Sequence, residues 1–152
     1  MRKILCLIMI VCMTIVLVGC SEYSSTTSTS QFTVKASKGE VSVGDVVTVQ
    51  VVFEVVEGVK SYAIRPVFDK ASFDLINARN LQFGEISDST DGIITTLLAE
   101  AKTMRGTVVA EYTFRANAHG SQKAIGFSIS LKGADDVAIE ATQPNNIYIN
   151  VK

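Results

Sequence analysis

Few side chains in this protein have chemistry of their own, and most of those stand apart. The 152 residues include one histidine and three cysteines, with 14 Lys+Arg against 15 Asp+Glu. His119 lies between Ala118 and Gly120, with no sequence neighbour to share a metal or activate it, and reads as a loop residue. That leaves no His/Cys cluster at metal-ligand spacing and no set for nucleophilic catalysis. Paired carboxylates for glycoside chemistry need a fixed separation in a cleft. Glu54 with Glu57 and Glu100 with Glu111 are the candidates, and nothing in the sequence puts either pair in a pocket. Asp88-Ser89-Thr90-Asp91-Gly92 offers Asp88 and Asp91 to Ca²⁺ but lacks the further oxygen ligands and distal Glu of a dedicated loop, so it reads as a solvated hairpin turn. Asp135-Asp136 beside Gly133 reads as a turn as well. The expectation is a non-enzyme without cofactor or metal. The nearly balanced charge also argues against a nucleic-acid partner, which would call for a basic face.

One residue does carry defined chemistry, and it is Cys20. Met1-Arg2-Lys3 is basic, and the run from Ile4 to Val18 is apolar except for Thr14. Fifteen helical residues span about 22 Å, short of the ~30 Å hydrocarbon core, which suits a secretory leader better than a spanning helix. The run ends in Leu17-Val18-Gly19-Cys20. Small Gly19 lets a protease approach the backbone, and the Cys20 thiol is the nucleophile there that can take a thioether-linked diacylglycerol. This order resembles the bacterial lipobox. The resemblance implies a signal peptide over 1–19 and a lipidated Cys20 that anchors the mature chain to the extracytoplasmic face of the cell membrane. Two or three acyl chains hold durably where one does not. An uncleaved N-terminal anchor and a plain signal peptide are the alternatives. Cys6 and Cys12 fall in the leader, so the mature domain would have no free thiol and no disulfide. The leader also explains the high mean hydropathy of +0.31. Without Arg2 and Lys3 the chain keeps 12 basic against 15 acidic side chains.

Beyond the anchor, Ser21 to Gln31 holds eight Ser/Thr in eleven residues. With too little apolar area to offset ordering entropy, 20–31 reads as a lipid-anchored flexible tether, reaching about 35 Å when extended. A poorly ordered first strand is the alternative. From Phe32 onward the hydrophobic period is two. Val47, Val49, Val51 and Phe53 alternate with polar residues, as do Val108, Ala110, Tyr112, Phe114 and Ala116, and Ile125, Phe127, Ile129 and Leu131. Shorter strands are expected at 32–36, 60–68, 71–77, 93–98, 137–141 and 147–151. Turn signals sit between them at Glu57-Gly58, Asp91-Gly92, Arg105-Gly106 and Gly133. Leu97–Met104 reads as a strand end running into a loop with one helical turn, and Pro66 marks 60–68 as an edge or bulged strand. The fold class is therefore all-β: one antiparallel two-sheet sandwich of about nine strands over 32–152, after the signal peptide.

Val56-Glu57-Gly58-Val59, followed by Phe68-Asp69, Phe73 and Leu75, resembles the cohesin family. So do the long stretch Gly106–Ala116, with Gly120 and Ile125 after it, and the opening Gly39–Val51 with Val43-Gly44-Asp45. The resemblance implies a nine-stranded jelly-roll sandwich that binds a dockerin module through one sheet face containing 60–68 and 124–131, with 93–98 close by. The water-facing residues there would be Ser61, Ala63, Arg65, Val67, Ala124, Gly126, Ser128 and Ser130. Small residues allow a helix to approach closely, and Arg is common at binding hot spots. The same pattern also fits an ordinary solvent-facing sheet. A carbohydrate-binding or adhesive module on the same sandwich is the other reading, and a structural spacer a third. Polysaccharide binding calls for exposed rings. Tyr62, Tyr112, Phe114 and Phe127 fall on the core phase, whereas Tyr148 is out of phase with Ile147, Ile149 and Val151 and is the ring expected at the surface.

Overall fold

The computed structural model describes residues 25–29, 31–82, 86–90 (by backbone) and 92–152. The signal peptide, Cys20 and Asp91 lie outside the described residues. Among the described residues there are ten strands: β1 Ser25–Ser28, β2 Phe32–Ala36, β3 Glu40–Val41, β4 Val46–Phe68, β5 Phe73–Asn80, β6 Ile86–Thr90, β7 Ile93–Ala116, β8 Gly120–Lys132, β9 Ala138–Ile139 and β10 Ile147–Val151. No helix among them is long and apolar enough to cross a membrane.

The architecture turns on the ribbon formed by β4 and β7, which pair antiparallel from Val46↔Arg115 to Ile64↔Ile94. Its register shifts between Val51 and Val52 and twice more between Val56 and Ser61. Such irregularities bend a strand and increase its twist. Here the ribbon folds back on itself. Its first half (46–55 with 105–115) sits in sheet I, ordered β1-β2-β4-β7-β5. Its second half (61–64 with 94–97) sits in sheet II, ordered β6-β7-β4-β8-β10-β3, with β9 beside β8. All the pairings are antiparallel except β10–β3.

The alternation read in the sequence is what fills the space between the sheets. Val47, Val49, Val51 and Phe53 from sheet I meet Ile64, Ile125, Phe127 and Ile129 from sheet II, and all are buried. Each such side chain contributes about 1.5–3 kcal/mol on leaving water. Ring contacts cross the gap at Phe53–Tyr62 (5.3 Å), Tyr112–Phe127 (5.0 Å) and Phe68–Phe114 (5.0 Å).

Three expectations are corrected. Gly58 (φ 66°) and Gly106 (φ 56°) do not end strands but sit within β4 and β7 near the bend, where their left-handed backbone is tolerated. Leu97–Met104 is strand throughout: only Leu98 and Met104 are buried, and the helix-favouring residues between them are exposed, so pairing with β4 overrides propensity. The tether is not free along its whole length. Ser25–Ser28 pairs with β2 in the register Ser25↔Ala36 to Ser28↔Thr33. Thr29 and Gln31 then fasten the turn. The Phe32 amide donates to Thr29 Oγ1 (3.1 Å), while Gln31 donates to the Glu140 carbonyl (3.2 Å) and accepts from the Thr142 amide (2.6 Å).

Candidate functional site: the outer face of sheet II

The register assembles the expected face. Ser61 stands opposite Lys132, Ala63 opposite Ser130, Arg65 opposite Ser128 and Val67 opposite Gly126. On the far side of β8, Ala124 stands opposite Tyr148. Opposed residues in an antiparallel pair share a face, so all eight predicted positions and Tyr148 lie on one surface. Arg65, Ser128 and Ser130 are exposed, Ser61, Ala63 and Ala124 are half-buried, Val67 is 56% exposed and Tyr148 is 49% exposed. The four rings expected in the core are buried there.

Gly126 departs from expectation because it is buried. A Cβ placed on it would meet Asn146 Oδ1 at 2.3 Å, so the Asn146 side chain lies over the glycine and presents its amide in its place. The sequence reading also missed Thr95 and Leu97, which stand opposite Ala63 and Ser61 on the β7 side, together with Lys132. Lys132 continues the phase of 124–130, but Ile93-Ile94-Thr95-Thr96-Leu97-Leu98 repeats each residue type on both faces and so carries no period-two signal. Ser61, Ala63, Thr95, Ser130 and Lys132, with Tyr62 beneath, line a shallow depression in this face.

Two features stiffen the platform. Between its contacts with β10 and β9, β8 has no strand beside it, and a side chain takes that place. The Ile129 amide donates to Gln143 Oε1 (2.7 Å), and Gln143 Nε2 donates back to the Ile129 carbonyl (2.8 Å). Beneath the face, Tyr62 donates to Asn80 Oδ1 (3.2 Å) and Asn80 donates to the fully buried Thr96 hydroxyl (2.6 Å). Burial pushes the Tyr62 hydroxyl above its ordinary value, with the Thr96 hydrogen bond opposing that shift.

Pro66 sits where β7 has stopped accompanying β4, since their pairing ends at Ile64↔Ile94. Its missing donor therefore falls on a locally open edge, as expected. A groove of about 600 Å³ opens there between Arg65, Pro66, Phe68, Lys70, Leu75 and Ile93, with Phe73 and Asp74 at its side. The turn after β4 is closed by Asp69, which accepts from the Ala71 amide (3.0 Å) and the Ser72 hydroxyl (2.6 Å). The Ser72 hydroxyl, with the Ala71 amide, holds that carboxyl below the usual carboxylate range.

The other candidate positions are scattered. His119 is exposed in the loop between β7 and β8. Glu57 pairs with Arg105 (3.3 Å) and Glu111 with Arg79 (3.3 Å), both away from this face. The Asp88 backbone belongs to β6, and Thr90 pairs with Ile93 across Gly92 (φ 76°). No group of three or more His, Cys, Asp or Glu able to hold a metal ion occurs among the described residues.

No family model and no curated protein matches this sequence. Solved structures do match. A cohesin module from a Clostridium perfringens family 33 glycoside hydrolase superposes with a TM-score of 0.66 at 13% identity, over 84% of this chain and 99% of the module. The chain has the cohesin fold. The sixth cohesin of Acetivibrio cellulolyticus scaffoldin B, solved in complex with a dockerin, gives a TM-score of 0.59 at 15% identity over 80% of this chain and 99% of that one. A non-cellulosomal cohesin from Archaeoglobus fulgidus gives 0.55 at 15% identity, over 80% and 91%. At these identities the cohesin-like domain shares shape with them, while its surface is its own.

Proposed function

We propose that this protein is a bacterial cell-surface lipoprotein, held to the extracytoplasmic face of the membrane through Cys20. In this reading its cohesin-like domain performs no catalysis and binds a protein partner of the dockerin type through the outer face of sheet II. The observation that carries it is the face itself. Arg65 stands exposed among the small residues Ala63, Ser128 and Ser130, on a platform tied down by Gln143 and the Tyr62–Asn80–Thr96 network. That composition admits a closely packed helix and provides a guanidinium to hydrogen-bond it.

The test is capture of purified dockerin modules by the wild-type domain and by the Arg65→Glu and Ser130→Arg variants. Binding by the wild type, lost in both variants at unchanged melting temperature, supports the reading. Equal capture by all three, or capture by none, overturns it. Membrane fractionation of Cys20→Ala tests the anchor, and unchanged fractionation excludes lipidation at that residue. Polysaccharide binding is the second reading, favoured by the half-exposed Tyr148 ring beside Ala124 on the same face. It predicts retention in a polysaccharide-loaded gel that Tyr148→Ala removes.

A further inference from the structure

The pairing of β1 decides which way the domain stands on its membrane. The cohesin-like domain has two distinct ends. The ribbon folds over at one, where Gly58, Gly106 and the 133–137 turn lie. The other, the open end, gathers Val46 and Arg115, the 69–72 turn and the 37–45 loop, where the Gly44 amide donates to the Ala116 carbonyl. Ser25 is level with Ala36, and Ala36 with Val49. The anchored side of the chain therefore leaves β1 toward the open end, which Val46 marks about 10 Å farther on, at ~3.3 Å per residue.

The span from Cys20 to Ser25 is five residue steps, at most about 17 Å. With the open end down, the leash reaches up to about 7 Å past Val46, which brings the turns at that end to the headgroups, within one Debye length at physiological salt. With the fold-over end down, Val55 and the turns beyond it lie below Ser25. The six residues from Val49 to Val55 alone lift Ser25 about 20 Å, more than the leash allows. Inversion is excluded while β1 stays paired. If 20–31 were a free tether, the chain from Cys20 to Phe32 would reach about 40 Å and both orientations would be open.

We infer that the open end of the sandwich is a membrane-apposed surface whose partner is the headgroup layer of the anchoring bilayer. The inference rests on lipidation at Cys20. The surface itself suits the role. Val43 and Val46 are 42% and 47% exposed there, and Lys38, Lys70 and Arg115 are exposed beside them. The carboxylates of Asp45 and Asp69 are turned onto nearby backbone, on the Ser42 and Ala71 amides, Glu40 pairs with Lys152, and Asp74 stands opposite Arg115. Sheet II then stands on edge to the membrane and offers its outer face sideways.

The chain has no tryptophan, so single reporters can be introduced at exposed valines of the two ends, Val43→Trp and Val137→Trp. The full lipidated protein is placed in phosphatidylethanolamine/phosphatidylglycerol vesicles containing dansyl-phosphatidylethanolamine, and energy transfer to the dansyl group is read. Several-fold greater transfer from the V43W reporter is expected. Thr26→Pro with Thr27→Pro should bring the two reporters toward equality. Adjacent strand residues point their N–H groups to opposite sides, so one of the two prolines must remove a donor to β2. Equal transfer in the otherwise native chain, or a ratio indifferent to the two prolines, overturns the inference while leaving the anchor standing. Failure of the wild type to co-sediment with the vesicles overturns the anchor and this inference together.

Discussion

The Tyr112 hydroxyl donates a hydrogen bond to the Ile64 carbonyl at 3.2 Å, from the sheet I half of the β4–β7 ribbon to the sheet II half. A phenol buried between the sheets thus ties them together at a fixed separation. Tyr112→Phe keeps the ring and loses the donor, which costs about 1 kcal/mol net for a typical protein hydrogen bond. The expected result is a melting temperature lower by roughly 4 °C, with an unchanged circular dichroism spectrum at 25 °C.

The same hydroxyl makes the domain sensitive to alkali. Burial raises both Tyr112 and Tyr62 above the ordinary tyrosine value, and each also senses its surroundings: Tyr112 the neighbouring Tyr62, Tyr62 the Thr96 hydroxyl. A raised value means that the folded state keeps a proton the unfolded chain releases. The contribution is therefore intact below about pH 10 and is lost as pH rises beyond it. Asp69 acts in the opposite direction. Its lowered value makes its contribution present above about pH 4 and lost as pH falls further. Thermal melts across pH should decline at both extremes, and Tyr112→Phe should flatten the alkaline limb.

Gly92 and Gly126 are both crowded, and only one should resist substitution. At Gly92 (φ 76°) a Cβ would come within 2.3 Å of Leu75 Cδ2 and 3.4 Å of Pro66 Cγ, on a backbone disfavoured for any L side chain. Gly92→Ala should destabilise by about 1–3 kcal/mol. At Gly126 the obstacle is the far end of Asn146, which can rotate away, and the backbone is ordinary. Gly126→Ala should cost less than about 1 kcal/mol. Urea unfolding of the two variants side by side checks the contrast.

Gln143 is expected to hold β8 as a strand neighbour would. Gln143→Ala removes both hydrogen bonds to Ile129 and should cost about 1–2 kcal/mol. Its signature is local: the Ile129 amide should exchange faster with deuterium in this variant while core amides of β4 are unaffected.

Much of the fold was legible because it rests on alternation. β2 and β10 fall on 32–36 and 147–151 as expected, and the four core rings are where their phase puts them. What was not legible depends on pairing partners distant in sequence. Glu57-Gly58 and Arg105-Gly106 look like loop ends locally and are bends in a ribbon only because each faces the other strand. Leu97–Met104 carries helical propensity, and nothing local reveals that β4 holds it extended. Ser25–Ser28 has no apolar phase at all, and its strand comes from the exposed edge of β2. On the candidate face, Ser61 to Val67 and Ala124 to Ser130 could be phased from sequence. The Asn146 amide that covers Gly126 comes from another strand's approach and leaves no periodic trace.

Building both sheets around one ribbon also constrains the order of events at birth. Val46–Val56 carries seven valines, with no charged residue before Glu54, and its principal partner β7 begins only at Ile93. A chain emerging N-terminus first must therefore expose a long, aggregation-prone strand until the second half of the ribbon arrives. Neither sheet can close early, because each contains part of both strands. Folding of this domain thus requires that β4 be kept from other chains until β7 arrives, and dilute refolding should outperform concentrated refolding by a wide margin.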